Sequence, residues 1–137
     1  MSELREEKKN AIVILNGISL KKKLFYHDYF PPLSQIFDVE VHETLSKNDA
    51  VSLASKFTDR YVDVILAAGG DGTVHQMING VLKGRESETK LPVLGVVPIG
   101  SGNDFVRGAG LKENPAEVLK IFSAFKPRPI DVGYVDY

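Results

Sequence analysis

The 137-residue chain has no cysteine, which excludes disulfides and thiolate metal centres and suits a reducing compartment. It also has no excess of charge. Seventeen basic side chains stand against 18 acidic ones, a net charge of −1, so no global positive field draws it to nucleic acid, which is not an expected partner. No stretch holds the roughly 18 consecutive apolar residues of a spanning helix. The charged, polar start from Met1 to Asn10 reads as neither a signal peptide nor an anchor. Internal repeats and low-complexity segments are lacking too. These absences lead to the expectation of a cytoplasmic globular protein. What is present agrees: 43% hydrophobic residues suffice for a core, and the length fits one domain of about 100–200 residues.

Asn10-Ala11-Ile12-Val13-Ile14-Leu15 is a β-branched apolar run closed by Asn16-Gly17, the pattern of a central parallel strand buried on both faces. Residues 19–36 read as helical through Leu24, Phe25, Tyr26, Tyr29, Phe30, Leu33 and Ile36, but Pro31-Pro32 is expected to stop or break the helix near Tyr29 or Phe30. Val39-Glu40-Val41-His42-Glu43 alternates as an edge strand does, with Thr44 at its carboxyl end. Ser46-Lys47-Asn48-Asp49 has the S-x-x-D spacing of a helix start, and Ala50, Leu53, Ala54 and Phe57 continue one apolar stripe.

Residues 62–68 predict a second buried strand, and Val74, Met77, Ile78, Val81 and Leu82 predict a helix whose end Gly80 and Gly84 should weaken. A charged loop over 83–90 leads to another buried strand at 93–97. Asn114-Pro115-Ala116-Glu117 then supplies a cap, a proline at the first helical position and a glutamate at the third, before Val118, Leu119 and Phe122. Residues 129–136 alternate like a strand and stop without a cap or turn, as in a chain that continues elsewhere.

Strands alternating with helices imply an α/β fold, a doubly wound, mainly parallel and Rossmann-like sheet with helices on both faces. Ligands bind such sheets beyond the carboxyl ends of the strands. Asn16-Gly17, Thr44, the turn at 69–73 and the turn at 98–104 are all expected at that edge, around one crevice.

Several chemistries fail on spacing. Gly95 and Gly100 have the separation of a P-loop, but Ser101 stands in place of the lysine. Gly70 and Gly72 are followed by His75 where a dinucleotide fingerprint needs its third glycine. Ile99 and Asn103 flank Ser101 where a hydrolase elbow needs glycines. His27, His42 and His75 lack H-x-x-x-H spacing and read as surface or helix-face residues.

Two glycine turns remain, Gly69-Gly70-Asp71-Gly72-Thr73 and Gly100-Ser101-Gly102-Asn103-Asp104. Either alone is readable as a tight connection after a strand. Glycine also takes positive φ and lets a ligand oxygen approach the backbone, and amides at a helix start face an anion. Asp71, taken as buried between glycines, sits beside that cradle, where a carboxylate has a metal ion or a proton to handle.

GGDGT paired with P-x-G-[ST]-x-N-D-F at this separation resembles the catalytic domain of diacylglycerol kinases, sphingosine kinases and related bacterial lipid kinases. The resemblance runs from Asn16 to the segment at 130–133. It implies ATP-dependent phosphorylation of a lipid hydroxyl, diacylglycerol or a related lipid, with Mg2+, on a fold of the NAD kinase and diacylglycerol kinase type. By resemblance Gly69, Gly70, Asp71, Gly72 and Thr73 hold nucleotide phosphates, Thr44 contacts them, and Asn16, Gly100, Ser101, Asn103 and Asp104 complete the site, with Asp71 catalytic. The metal ligands stay unassigned.

The chain departs from the family pattern in three ways. Asn16-Gly17-Ile18-Ser19 stands for N-P-x-S-G, His75-Gln76 stands where N-E is usual, and the second, mainly β domain that helps form the lipid site is not in these residues. The expected division is a nucleotide-binding domain over 1–129 and the start of a crossover over 130–137. That strand would leave an edge able to pair with a second copy, giving a homo-oligomer. The chain alone is expected to bind nucleotide without phosphorylating lipid, since its loops offer Gly, Ser, Thr, Asn and Asp and only Phe105 as an apolar wall.

Other readings stay open beside this one: an NAD kinase or 6-phosphofructokinase relative acting on a soluble substrate, and a non-catalytic nucleotide-binding module. Lys21-Lys22-Lys23-Leu24-Phe25-Tyr26 reads either as a contact with an anionic membrane surface, implying peripheral association, or as a solvated helix start with Phe25 and Tyr29 in the core. Arg107 reads as a phosphate contact or as the partner of a surface acid.

Overall fold

The structure is a computed structural model and describes residues 7–46, 48–85, 90–100, 108 and 114–129. Its centre is β1 (Asn10–Asn16), whose Ala11, Ile12, Val13, Ile14 and Leu15 are all buried. β1 pairs in parallel with β2 (Asp38–Thr44) on one side and β3 (Val64–Gly69) on the other, and β4 (Val93–Pro98) pairs with β3. The order β2-β1-β3-β4 is the doubly wound arrangement that the alternation of strands and helices predicts. The strand expected at 130–136, the segment 101–107 and residues 86–89 of the loop at 83–90 lie outside the described residues.

Side chains alternate across each strand and divide the core in two. On one face Val13, Leu15, Leu66 and Ala68 meet Phe25, Tyr29 and Leu33 from the first helical segment and Val118 from the last. On the other, Ile12, Ile14, Ile65 and Ala67 meet Ala50, Ala54, Phe57, Val74, Met77 and Val81. Phe25 and Tyr29 are therefore core residues, and Tyr29 burial pushes its hydroxyl pKa up to about 12, with Asp28 adding to the shift.

The first helical segment corrects one expectation. It runs as α1 (Lys22–Leu24), a π-helical turn at Phe25–Tyr29 and α2 (Phe30–Ile36), so Pro31-Pro32 resets the helix without stopping it. The Phe30 N–H bonds the Phe25 carbonyl across the widened turn. The prolines then fall in the first turn of α2, where a missing N–H costs least.

α3 (Asp49–Asp59) begins at the S-x-x-D motif, with the bonds running towards the acid. The Asp49 carboxylate accepts from the Leu45 N–H at 2.7 Å, the Ser46 N–H at 2.9 Å and the Ser46 hydroxyl at 2.9 Å. These bonds hold the Asp49 carboxyl below its ordinary pKa, the Leu45 amide contributing most. α5 (Pro115–Ala124) starts as expected, Asn114 Oδ1 accepting from the Glu117 N–H at 2.9 Å.

α4 (Asp71–Gly84) carries the second correction. Gly80 and Gly84 do not fray its end; they form the seam against α3. A Cβ on Gly80 would collide with the Val51 carbonyl oxygen and stand 2.6 Å from Ala54 Cβ, and one on Gly84 would collide with the Ser55 carbonyl oxygen. The local entropic cost of glycine is offset by backbone-close packing of two helices.

Candidate functional site

The register sets the strand ends level: Asn16 lies opposite Thr44, Leu15 opposite Ala68, and Gly69 opposite Pro98. From β1 the chain turns to the face covered by α1 and α2; from the adjacent β3 it turns to the opposite face, into α4. Adjacent strands whose exits diverge mark the switch point at which open α/β sheets bind ligands.

Direct contacts join the loops at this edge. The Gly17 N–H donates to the Thr44 carbonyl at 3.0 Å, and a Cβ on Gly17 would strike that oxygen. Asn16 Oδ1 accepts from the Ile18 N–H at 3.2 Å, turning the chain out of β1. The Ser19 hydroxyl reaches the Ile99 carbonyl at 3.4 Å and accepts from the Lys21 N–H at 3.1 Å, which ties this loop to the exit of β4. Ser19 lies inside the N-x-x-S stretch quoted above, yet nothing in its spacing shows that it bridges two loops. Thr44 is only 7% exposed, and its hydroxyl points to the Leu15 carbonyl at 3.4 Å.

The three glycines of the first turn stand in different surroundings. At Gly69 a Cβ would stand 2.5 Å from Thr73 Oγ1 and 3.4 Å from Asn16 Cβ, so the strand end is closed by the threonine hydroxyl. Gly70 caps α4 with φ −99° and ψ −163°, and its carbonyl accepts from the Val74 N–H at 3.2 Å. A Cβ on Gly100 would strike Gly70 Cα and N, so the turn after β4 rests on the turn after β3 backbone to backbone. At Gly72, an exposed residue in the first turn of α4, a Cβ would meet none of the described residues within 4 Å.

Two expectations change here. Positive φ does not explain this turn: Gly70 is extended, and close approach is what excludes a side chain at Gly69 and Gly100. Asp71, expected to be buried, is half-exposed as the first residue of α4. Gly70 has no side chain with which to cap the helix, and Asp71 is the acidic residue of its first turn. Ser101, Gly102, Asn103, Asp104, Phe105 and Arg107 lie outside the described residues.

The histidines do not converge. His27 Nδ1 contacts Asp28 at 2.6 Å, His75 Nε2 contacts Asn79 at 3.1 Å, and the His42 ring packs on Phe57 with centroids 5.0 Å apart. Among the described residues no group of three His, Cys, Asp or Glu side chains is arranged to hold a metal. At this turn the described residues supply one carboxylate, that of Asp71.

Beside the crevice, Glu43 near the end of β2 receives Lys22 Nζ at 2.9 Å and the Tyr26 hydroxyl at 2.7 Å. These two bonds, Lys22 first, lower the Glu43 pKa. Burial, followed by Glu43, raises the Tyr26 hydroxyl to about 12. The trio fastens α1 to the edge of the sheet and keeps Tyr26 a neutral donor.

A parallel doubly wound sheet with glycine turns meeting at its switch point defines the class of α/β domains that take phosphate-bearing ligands at a helix start. More narrowly, the Diacylglycerol kinase catalytic domain family matches residues 10–135, and the chain belongs to that family. It is 41% identical over 93 residues to a Chromohalobacter salexigens protein named "Probable lipid kinase YegS-like", covering 68% of this chain and 29% of that one. It is 36% identical over 105 residues to a Bacillus subtilis diacylglycerol kinase, covering 73% and 32%. Among solved structures, a diacylglycerol kinase of Bacillus anthracis superposes with a TM-score of 0.73 at 28% identity, over 88% of this chain and 43% of that one. The chain thus spans about a third of the length of these curated relatives.

Proposed function

We propose that this chain is the nucleotide-binding part of a lipid kinase that transfers the γ-phosphate of ATP to the hydroxyl of diacylglycerol or a related lipid. The observation that carries this reading is Gly72: it lies exposed in the first turn of a helix at the switch point, where a Cβ would meet none of the described residues within 4 Å. The α4 amides and the Gly69 to Thr73 backbone hold phosphate oxygens there, and Asn16 and Thr44 support the loops on either side. Ser101, Asn103 and Asp104, outside the described residues, are assigned to the same site by the family resemblance of their G-[ST]-x-N-D sequence.

Phosphoryl transfer depends mostly on positioning and on neutralising charge. In this reading Asp71 would hold Mg2+ together with the phosphates or accept the proton of the attacking hydroxyl, and Mg2+, when bound, would supply charge neutralisation. Residues 1–129 form the nucleotide domain, and 130–137 begin the passage to a second, mainly β domain that completes the acceptor site. The relatives' greater length supports that division. Location in the cytoplasm, with peripheral approach to the membrane, follows from the lipid acceptor; no helix among the described residues is long and apolar enough to span a bilayer.

Titration calorimetry of ATP with Mg2+ into the chain should show binding, while incubation with ATP, Mg2+ and diacylglycerol micelles should give no phosphatidic acid above background. Absence of ATP binding would contradict the nucleotide reading, and robust phosphatidic acid would place the acceptor site within these residues. In a longer chain that carries the activity, Asp71→Asn should lower turnover by about 100-fold or more with the fold retained. Near-normal turnover would remove Asp71 from the chemistry.

A further inference from the structure

The loops that frame the crevice carry apolar side chains that the core does not use. Leu20 is 102% exposed, Leu45 83% and Ile18 78%. Gly17 N–H is bonded to the Thr44 carbonyl, so Ile18 and Leu45, the next residue on each strand exit, leave the sheet side by side, and Leu20 follows in the same loop as Ile18. Isolated exposed leucines are ordinary, but several at one edge mark a surface with an occupant.

Charge identifies the occupant. Lys21 and Lys23, next to Leu20, are exposed, while Lys22 is held by Glu43 at 2.9 Å. The acids nearby are already engaged: Glu43 by Lys22 and Tyr26, Asp49 by the amides of Leu45 and Ser46 and the Ser46 hydroxyl. The chain as a whole has a net charge of −1, so any attraction to an anionic surface is local to this edge. Protruding aliphatic side chains beside lysines suit the boundary between acyl chains and anionic headgroups.

We infer that the β1–α1 loop and the start of the β2–α3 loop form a contact surface for an anionic lipid bilayer, with Ile18, Leu20 and Leu45 entering the interface and Lys21 and Lys23 reaching headgroup phosphates. This names the surface by which the proposed lipid kinase meets its membrane, and to that extent rests on that reading. Phe25 and Tyr29 take no part, since both are buried. The same contact brings the crevice beside the headgroups, because Asn16 and Ile18 share a hydrogen bond.

Cosedimentation of the chain with phosphatidylcholine vesicles, with and without phosphatidylglycerol, tests the surface. Binding is expected to the mixed vesicles, to weaken at high salt, and to fall about fivefold for each of Lys21→Gln and Lys23→Gln. Leu20→Ser with Leu45→Ser should reduce it by about tenfold or more. Failure to bind mixed vesicles, or undiminished binding by both sets of variants, would overturn the inference. The lysine variants and the salt series stand even if the leucine variant folds poorly. ATP affinity measured on the same preparations separates the two readings: a chain that binds ATP and ignores vesicles contradicts this surface alone, and one that binds vesicles without ATP contradicts the nucleotide reading alone.

Discussion

The two ends of α4 use glycine for opposite reasons. At the carboxyl end, Gly80 and Gly84 are pressed against the backbone of α3, and a methyl group at either position has nowhere to go. At the amino end, Gly72 is in the first turn of the same helix with none of the described residues within 4 Å of where its Cβ would be. The packed glycines are explained by the fold. Gly72 is not: glycine costs a helix up to about 1 kcal/mol relative to alanine, and no neighbour among the described residues accounts for the choice. The proposed nucleotide site gives that glycine a reason the described fold does not.

The largest expected effect is at the packed end. Gly80→Ala should destabilise the chain by about 1–3 kcal/mol, overpacking against the Val51 carbonyl and Ala54 outweighing the gain in helix propensity. Denaturant unfolding measures it, and a stabilised variant would mean that the α3–α4 seam is looser than described.

A smaller effect is expected where a glycine is absent. Tyr61, at the carboxyl end of α3, is 61% exposed and has φ 60°, with the Val62 N–H bonded back to the Phe57 carbonyl at 3.3 Å. Tyr61→Gly should therefore stabilise the chain by about 0.5–1 kcal/mol by removing the left-handed strain. A loss of stability on thermal unfolding would show that the Tyr61 ring contributes more than its backbone costs.

The weakest of these effects depends on pH. The folded pKa of Asp49 lies below its unfolded value, so its contribution is fully present above the unfolded pKa, near 4, and is lost as the pH falls through the folded value. Asp49→Asn should be less stable than the parent at neutral pH, with the gap narrowing as the medium becomes acid. A constant gap would mean that the amide bonds to Asp49 do not depend on its charge.

Much of this was legible in the sequence. The apolar run at 10–15, the alternation at 39–43 and the capped start at Asn114 each state a local rule that the fold obeys, and the GGDGT turn could be placed after β3 because a buried strand and a helical stripe flank it. What escaped is non-local. Nothing in Pro31-Pro32 shows that the preceding turn widens so that the helix continues, and nothing in the spacing of Gly80 and Gly84 names α3 as the element pressed on them. The letter G does not distinguish a glycine needed by Thr73, one needed by a neighbouring turn and one with open space. Ile18, Leu20 and Leu45 could have been core residues by composition; only the bond between Gly17 and Thr44 brings Ile18 and Leu45 together at the crevice, where Phe105 alone was expected to be apolar.

Gly72→Ala tests the central claim most directly, because fold and function pull it in opposite directions. Thermal unfolding and ATP calorimetry on the same variant should show stability raised by about 0.5–1 kcal/mol, together with affinity for ATP lowered at least tenfold. Unchanged ATP affinity in the stabilised variant would show that the space at Gly72 is not where the phosphates lie.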